Sequence, residues 1–171
     1  MYKNQLAALF LGTSSIVLLP WASTLAQQTP TQGVHGRTIL FVCEHGSAKS
    51  VIAAAHFNDL ANKNGLPYRA IARGVHPDKE IPLHVKNGLA TEGLDIRGWQ
   101  PKRFSEEDAL RAERVITLGC ALPTSKSLTA RKLQDWNDIP SPSENYQSAS
   151  QAIAERVASL VRELIGKQAL Q

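Results

Sequence analysis

From Thr38 onward, short apolar, β-prone runs alternate with stretches whose apolar residues recur at helical spacing. Ile39 to Val42 predicts a first strand. Between Val51 and Asn64, Ile52, Ala55, His56 and Leu60 recur at near-helical spacing, with Gly65 placed to close a first helix. Tyr68 to Ala72 predicts a second strand, and Gly74 to Asp78, which contains Pro77, a turn. A second helix is expected from Pro82 to Glu92, with proline at its start and Gly93 just beyond its end. Leu94 to Pro101 is then a loop, and Phe104 to Arg111 a short helix whose first turn holds Ser105, Glu106, Glu107 and Asp108. Arg114 to Leu118 predicts a third strand and Leu133 to Trp136 a weaker fourth. In the last helix Ile153, Val157, Leu160, Val161 and Leu164 form one apolar stripe, and Ser148 with Gln151 resembles a capping box. Strands alternating with helices imply an α/β fold, a parallel sheet covered on both faces, with a ligand site at the carboxyl end of the first strand.

The stretch before Thr38 does not share this pattern. Met1 to Ala26 carries Lys3, a mostly apolar run from Leu6 to Trp21, and a small residue after Thr24 and Leu25. It reads as a secretory signal peptide cleaved near Ala26, so a periplasmic or secreted location is expected. The rival is an uncleaved anchor, but the run is short and broken by Gly12 to Ser15, whereas a spanning helix needs about 20 apolar residues. No stable membrane anchor is therefore expected. Residues 27–36 form a polar linker, and residues 37–168 a single domain. Removing the leader takes Lys3 from the 19 basic residues and none of the 15 acidic ones, which leaves a formal +3. With no Lys/Arg stripe and no interleaved aromatics, nucleic acid is not an expected partner.

The candidate chemistry lies between Thr38 and Ser50, where the first strand meets a Gly/Ser-containing loop that opens into the first helix. Backbone N–H groups converge at such a junction and the helix dipole adds its positive end, so an oxyanion is favoured there. Cys43 sits at its mouth, where the same field stabilises a thiolate nucleophile. Lys49 adds positive charge and Ser50 a hydroxyl. An oxidising compartment leaves open a pairing of Cys43 with Cys120, the chain's other cysteine. His35, His56, His76 and His84 are dispersed, so no metal motif is present.

Cys43, five residues, Lys49 and Ser50 resemble the phosphate-binding loop of the low-molecular-weight protein tyrosine phosphatases and the related thiol-coupled arsenate reductases, whose pattern is Cys-x5-Arg-Ser. The resemblance extends from about Arg37 to Gly166, through Ala72 to Asp78, Gly88 to Ile96 and Glu113 to Leu118. It implies a three-layer sandwich with a four-stranded parallel sheet and flavodoxin-like winding. It also implies hydrolysis of phosphotyrosine or a small phosphomonoester, with Cys43 as the attacking thiolate and Glu44, His45, Gly46, Ser47, Ala48, Lys49 and Ser50 around the phosphate. No cofactor or metal is implied.

Two departures bear on activity. Lys49 replaces a guanidinium that would grip two oxygens as a planar fork. The Asp-Pro pair that supplies the family's general acid aligns with Ser141-Pro142, which leaves Asp138, or Asp135, as the candidate acid. Tyr146 is either the tyrosine that commonly follows on this loop or a helix-packing aromatic, and Trp99 either walls the pocket or packs on the core. The first alternative function is arsenate reduction with an external thiol, because Cys120 is a possible redox partner but no third cysteine exists for an internal shuttle. The second is a non-catalytic module that has kept the oxyanion cradle.

Overall fold

The computed structural model describes residues 37–123 and 132–169. The predicted signal peptide and linker lie outside the described residues. The elements in order are β1 (Arg37–Cys43), α1 (Lys49–Lys63), β2 (Tyr68–Gly74), α2 (Leu83–Thr91), α3 (Glu106–Arg111), β3 (Ala112–Thr117), β4 (Leu133–Asp135) and α4 (Tyr146–Gln168). The four strands are all parallel and lie in the order β2-β1-β3-β4. The chain steps outward from β1 to β2 and then returns to build on the other side of β1. This reversal opens a crevice at the carboxyl end of β1, where Cys43 ends the strand.

Alternation along β1 divides the core. Ile39, Phe41 and Cys43 face a cluster supplied by α1, α2 and α4, while Leu40 and Val42 face a smaller one with Phe104, Ala109 and Val115. Helices cover both faces as expected, but unequally: among the described residues, α3 alone lies on the second face. Phe41 anchors the larger layer, its ring 6.2 Å from Phe57 and 5.7 Å from Trp136. The exposed edge of β2 is blunted by Asn58 of α1, whose amide accepts from Ala70 N–H at 2.7 Å and donates to Ala70 C=O at 3.1 Å.

Most boundaries fall within a few residues of expectation. The expected capping box at Ser148 is not the start of α4. That helix begins three residues earlier, where Asn145 Oδ1 accepts from Ser148 N–H at 2.9 Å, and Gln151 instead donates to Glu155. Ser105 does cap α3, accepting from Asp108 N–H at 3.1 Å, and Phe104 is left outside the helix as a buried anchor. Among the described residues, no helix is long and apolar enough to cross a membrane.

Candidate active site

Cys43 is the last residue of β1, and its side chain turns toward α1, buried to 5% exposure. Gly46 N–H donates to its sulfur at 3.2 Å, and Ser50 Oγ lies 3.2 Å from the same atom. An amide and a hydroxyl thus converge on the sulfur. α1 begins at Lys49, and no side chain caps it at Ala48, so the amides of its first turn remain available to an anion.

The loop keeps this shape because the segment after β2 runs alongside it. Val75, His76 and Asp78 N–H donate to the carbonyls of Cys43, Glu44 and His45 at 3.1, 2.8 and 3.0 Å. Gly46 adopts φ +60° and presses backbone against backbone on Gly74. A Cβ at Gly46 would lie 2.5 Å from Gly74 N, and one at Gly74 would lie 2.6 Å from Gly46 N. Only glycine fits at either position. Ser47 Oγ–H donates to Asp78 at 2.5 Å, and His45 Nδ1 lies 3.6 Å from the same carboxylate. Glu44, an awkward neighbour for an anion, is held by His76 Nδ1 at 2.7 Å.

A hollow of about 280 Å³ opens over Cys43. Lys49 lines it and donates from Nζ to Ile139 C=O at 2.6 Å, which ties α1 to the segment between β4 and α4. Ser141 and Pro142 of that segment also line it, as do Asp78 and Pro82 from the segment between β2 and α2 and His84 from the first turn of α2. The last three were not foreseen. No local motif links them to Cys43. The signal was topological, since β2 pairs in parallel with β1 and the loops that follow both must meet at one end of the sheet.

Other candidate residues lie elsewhere. Asp138 is paired with Arg156 of α4, whose guanidinium lies 5.8 Å over the Trp136 ring. Asp135 accepts from Thr117 Oγ1–H at 2.7 Å. Neither lines the hollow. Cys120 packs with the second-face cluster and contacts Val42 C=O at 3.5 Å, whereas Cys43 faces the other layer; both are free thiols. Burial, and after it the neighbouring Cys43, pushes the Cys120 thiol up to about 11. Tyr146 opens α4 with its ring over Gly88, where a Cβ would sit 2.2 Å away, and Trp99 packs on the large cluster. Neither aromatic reaches the hollow. Among the described residues, no group of three His, Cys, Asp or Glu side chains could hold a metal ion.

Residues 38–171 match the family described as low molecular weight phosphotyrosine protein phosphatase. No curated protein sequence matches the chain. Among solved structures it is similar to the low molecular weight protein tyrosine phosphatase from T. tengcongensis, with TM-score 0.64 and 23% identity over 77% of this chain and 99% of that one. It is also similar to the YwlE arginine phosphatase from Geobacillus stearothermophilus, with TM-score 0.64 and 20% identity over 79% of this chain and 97% of that one. A third is the thioredoxin-dependent arsenate reductase of Corynebacterium glutamicum, with TM-score 0.64 and 25% identity over 79% of this chain, which spans 63% of that protein. The structural likenesses establish the fold, and the match over residues 38–171 establishes that the chain belongs to the low molecular weight phosphotyrosine protein phosphatase family, whose members hydrolyse phosphomonoesters.

Proposed function

We propose that the chain is an exported phosphomonoesterase with weakened turnover. Cys43 attacks phosphorus, the S–P bond forms as the P–O bond to the leaving group breaks, and water then hydrolyses the cysteinyl phosphate. The amides from Glu44 to Ser50 and the Lys49 ammonium hold the phosphoryl oxygens. The observation that best supports this reading is the convergence of Gly46 N–H and Ser50 Oγ, each at 3.2 Å, on a sulfur that opens into the same hollow as Lys49. Lys49 offers one point charge where the family pattern has a fork, which accounts for slow turnover. In steady-state hydrolysis of para-nitrophenyl phosphate, the mature protein is expected to turn over slowly and to lose that turnover in Cys43→Ser. Activity that survives Cys43→Ser would remove Cys43 as the nucleophile, and none in the wild type would leave the non-catalytic anion-binding reading.

A second reading is favoured by one observation: the described residues lining the hollow include no Phe, Tyr or Trp side chain on which a phenyl ring could stack. A bare tetrahedral oxyanion needs none. Arsenate would form the adduct with Cys43 and an external thiol would reduce it, since Cys120 lies on the other face of the sheet. Arsenate-dependent consumption of thioredoxin or glutathione measures this directly. Export rests on Met1 to Ala26. N-terminal sequencing of protein recovered outside the cytoplasm should begin near Gln27, and an intact Met1 would contradict cleavage.

A further inference from the structure

Hydrolysis of an unactivated phosphate ester needs a proton for the leaving oxygen, and Ser141 cannot supply it. Every carboxylate near the site already has a partner. Asp138 is paired with Arg156 and Asp135 with Thr117, and neither lines the hollow. Glu44 is held by His76 and Asp78 by Ser47. His45 lies against Asp78. One proton-bearing side chain that lines the hollow differs. His84, in the first turn of α2, is exposed, and among the described residues no hydrogen bond or ion pair holds it. Its backbone is nevertheless fixed, because the adjacent Val85 and Leu89 are fully buried in the large cluster. A free imidazole on a fixed helix, opening into the hollow that holds the nucleophile, fits the requirement for a general acid and base.

We propose that His84 is the proton donor for the leaving group, an assignment that rests on the phosphatase reading above. In the first step Cys43 Sγ bonds to phosphorus. The P–O bond breaks with its electron pair on oxygen, and that oxygen takes the proton of the His84 imidazolium. In the second step the neutral imidazole takes a proton from the attacking water. The new O–P bond forms, the S–P pair returns to sulfur, and phosphate leaves with the imidazolium restored. Donation by Asp138 would require it first to give up Arg156.

The test compares kcat/KM for phenyl phosphate, whose leaving phenolate must be protonated, with that for 2,4-dinitrophenyl phosphate, whose leaving group departs unaided. It is run in the wild type, His84→Asn, His84→Gly, Asp138→Asn and Cys43→Ser. His84→Asn is expected to lose about 10²-fold or more on phenyl phosphate and far less on the activated ester. Added imidazole should recover phenyl phosphate turnover in His84→Gly. Equal losses on both esters, no loss on either, or the leaving-group-dependent loss appearing in Asp138→Asn instead would overturn the assignment. If the wild type has no Cys43-dependent turnover even of the activated ester, the phosphatase reading falls and the assignment with it.

Discussion

At the scale of single residues, the proposed weakening of turnover turns on Lys49. Its Nζ is committed to Ile139 C=O at 2.6 Å and offers the phosphoryl group a point charge. Lys49→Arg would restore the bidentate grip, so hydrolysis of para-nitrophenyl phosphate should rise tenfold or more, each tenfold worth ~1.4 kcal/mol of barrier. No gain with the fold intact would place the defect elsewhere, the proton donor being the next place to look. The two thiols should also separate. Cys120, pushed up to about 11, remains a thiol at neutral pH, so iodoacetamide is expected to label Cys43 first and phosphate to slow that labelling. Cys120 reacting first, or phosphate giving no protection, would count against the anion site. The loop from Cys43 to Ser50 was legible because its parts are contiguous in sequence. Asp138 was harder to judge, since the sequence near Ser141 says nothing of Arg156, which lies 18 residues beyond Asp138 in α4 and captures it.

At the scale of elements, the anion loop owes its shape to its neighbour after β2. The backbone contact between Gly46 and Gly74 leaves no room for a methyl group, and both partners in the clash are main chain. Gly74→Ala is expected to push the two loops apart, to cost about 1–3 kcal/mol of stability by overpacking, and to remove phosphate protection of Cys43. Chemical denaturation with parallel labelling measures both, and unchanged protection would mean that the loop holds its shape without this contact. The alternation of strands and helices was readable from period alone. The start of α4 was not, because Ser148 and Gln151 satisfy the sequence signature of a cap while Asn145, three residues earlier, makes the bond. Nor was the thin second layer, because the amphipathic pattern of a helix does not say which face of the sheet it covers.

At the scale of the whole molecule, three helices meet at one polar cluster. His56 Nε2 of α1 lies 3.0 Å from Ser150 Oγ of α4 and 3.1 Å from Glu92 at the end of α2, with the Tyr146 ring beside them over Gly88. Burial lowers the His56 pKa below its ordinary value, and the nearby Glu92 and Asp59 carboxylates offset this only in part. Below about pH 6.5 the unfolded chain therefore binds more protons here than the folded one. The stability held at neutral pH should be lost as pH falls through that window. The melting temperature is expected to drop less steeply there in His56→Asn than in the wild type, and parallel curves would contradict this account. The parallel sheet and the position of Cys43 at the carboxyl end of its first strand followed from the sequence, whereas this cluster did not, because its members lie on three separate helices. The proposed chemistry requires Cys43 to carry the phosphoryl group during turnover. Rapid quenching of the protein with 2,4-dinitrophenyl phosphate, followed by mass analysis of the peptide containing Cys43, should find the added mass of one phosphoryl group, absent in Cys43→Ser. Turnover with no such adduct, undiminished in Cys43→Ser, would contradict it.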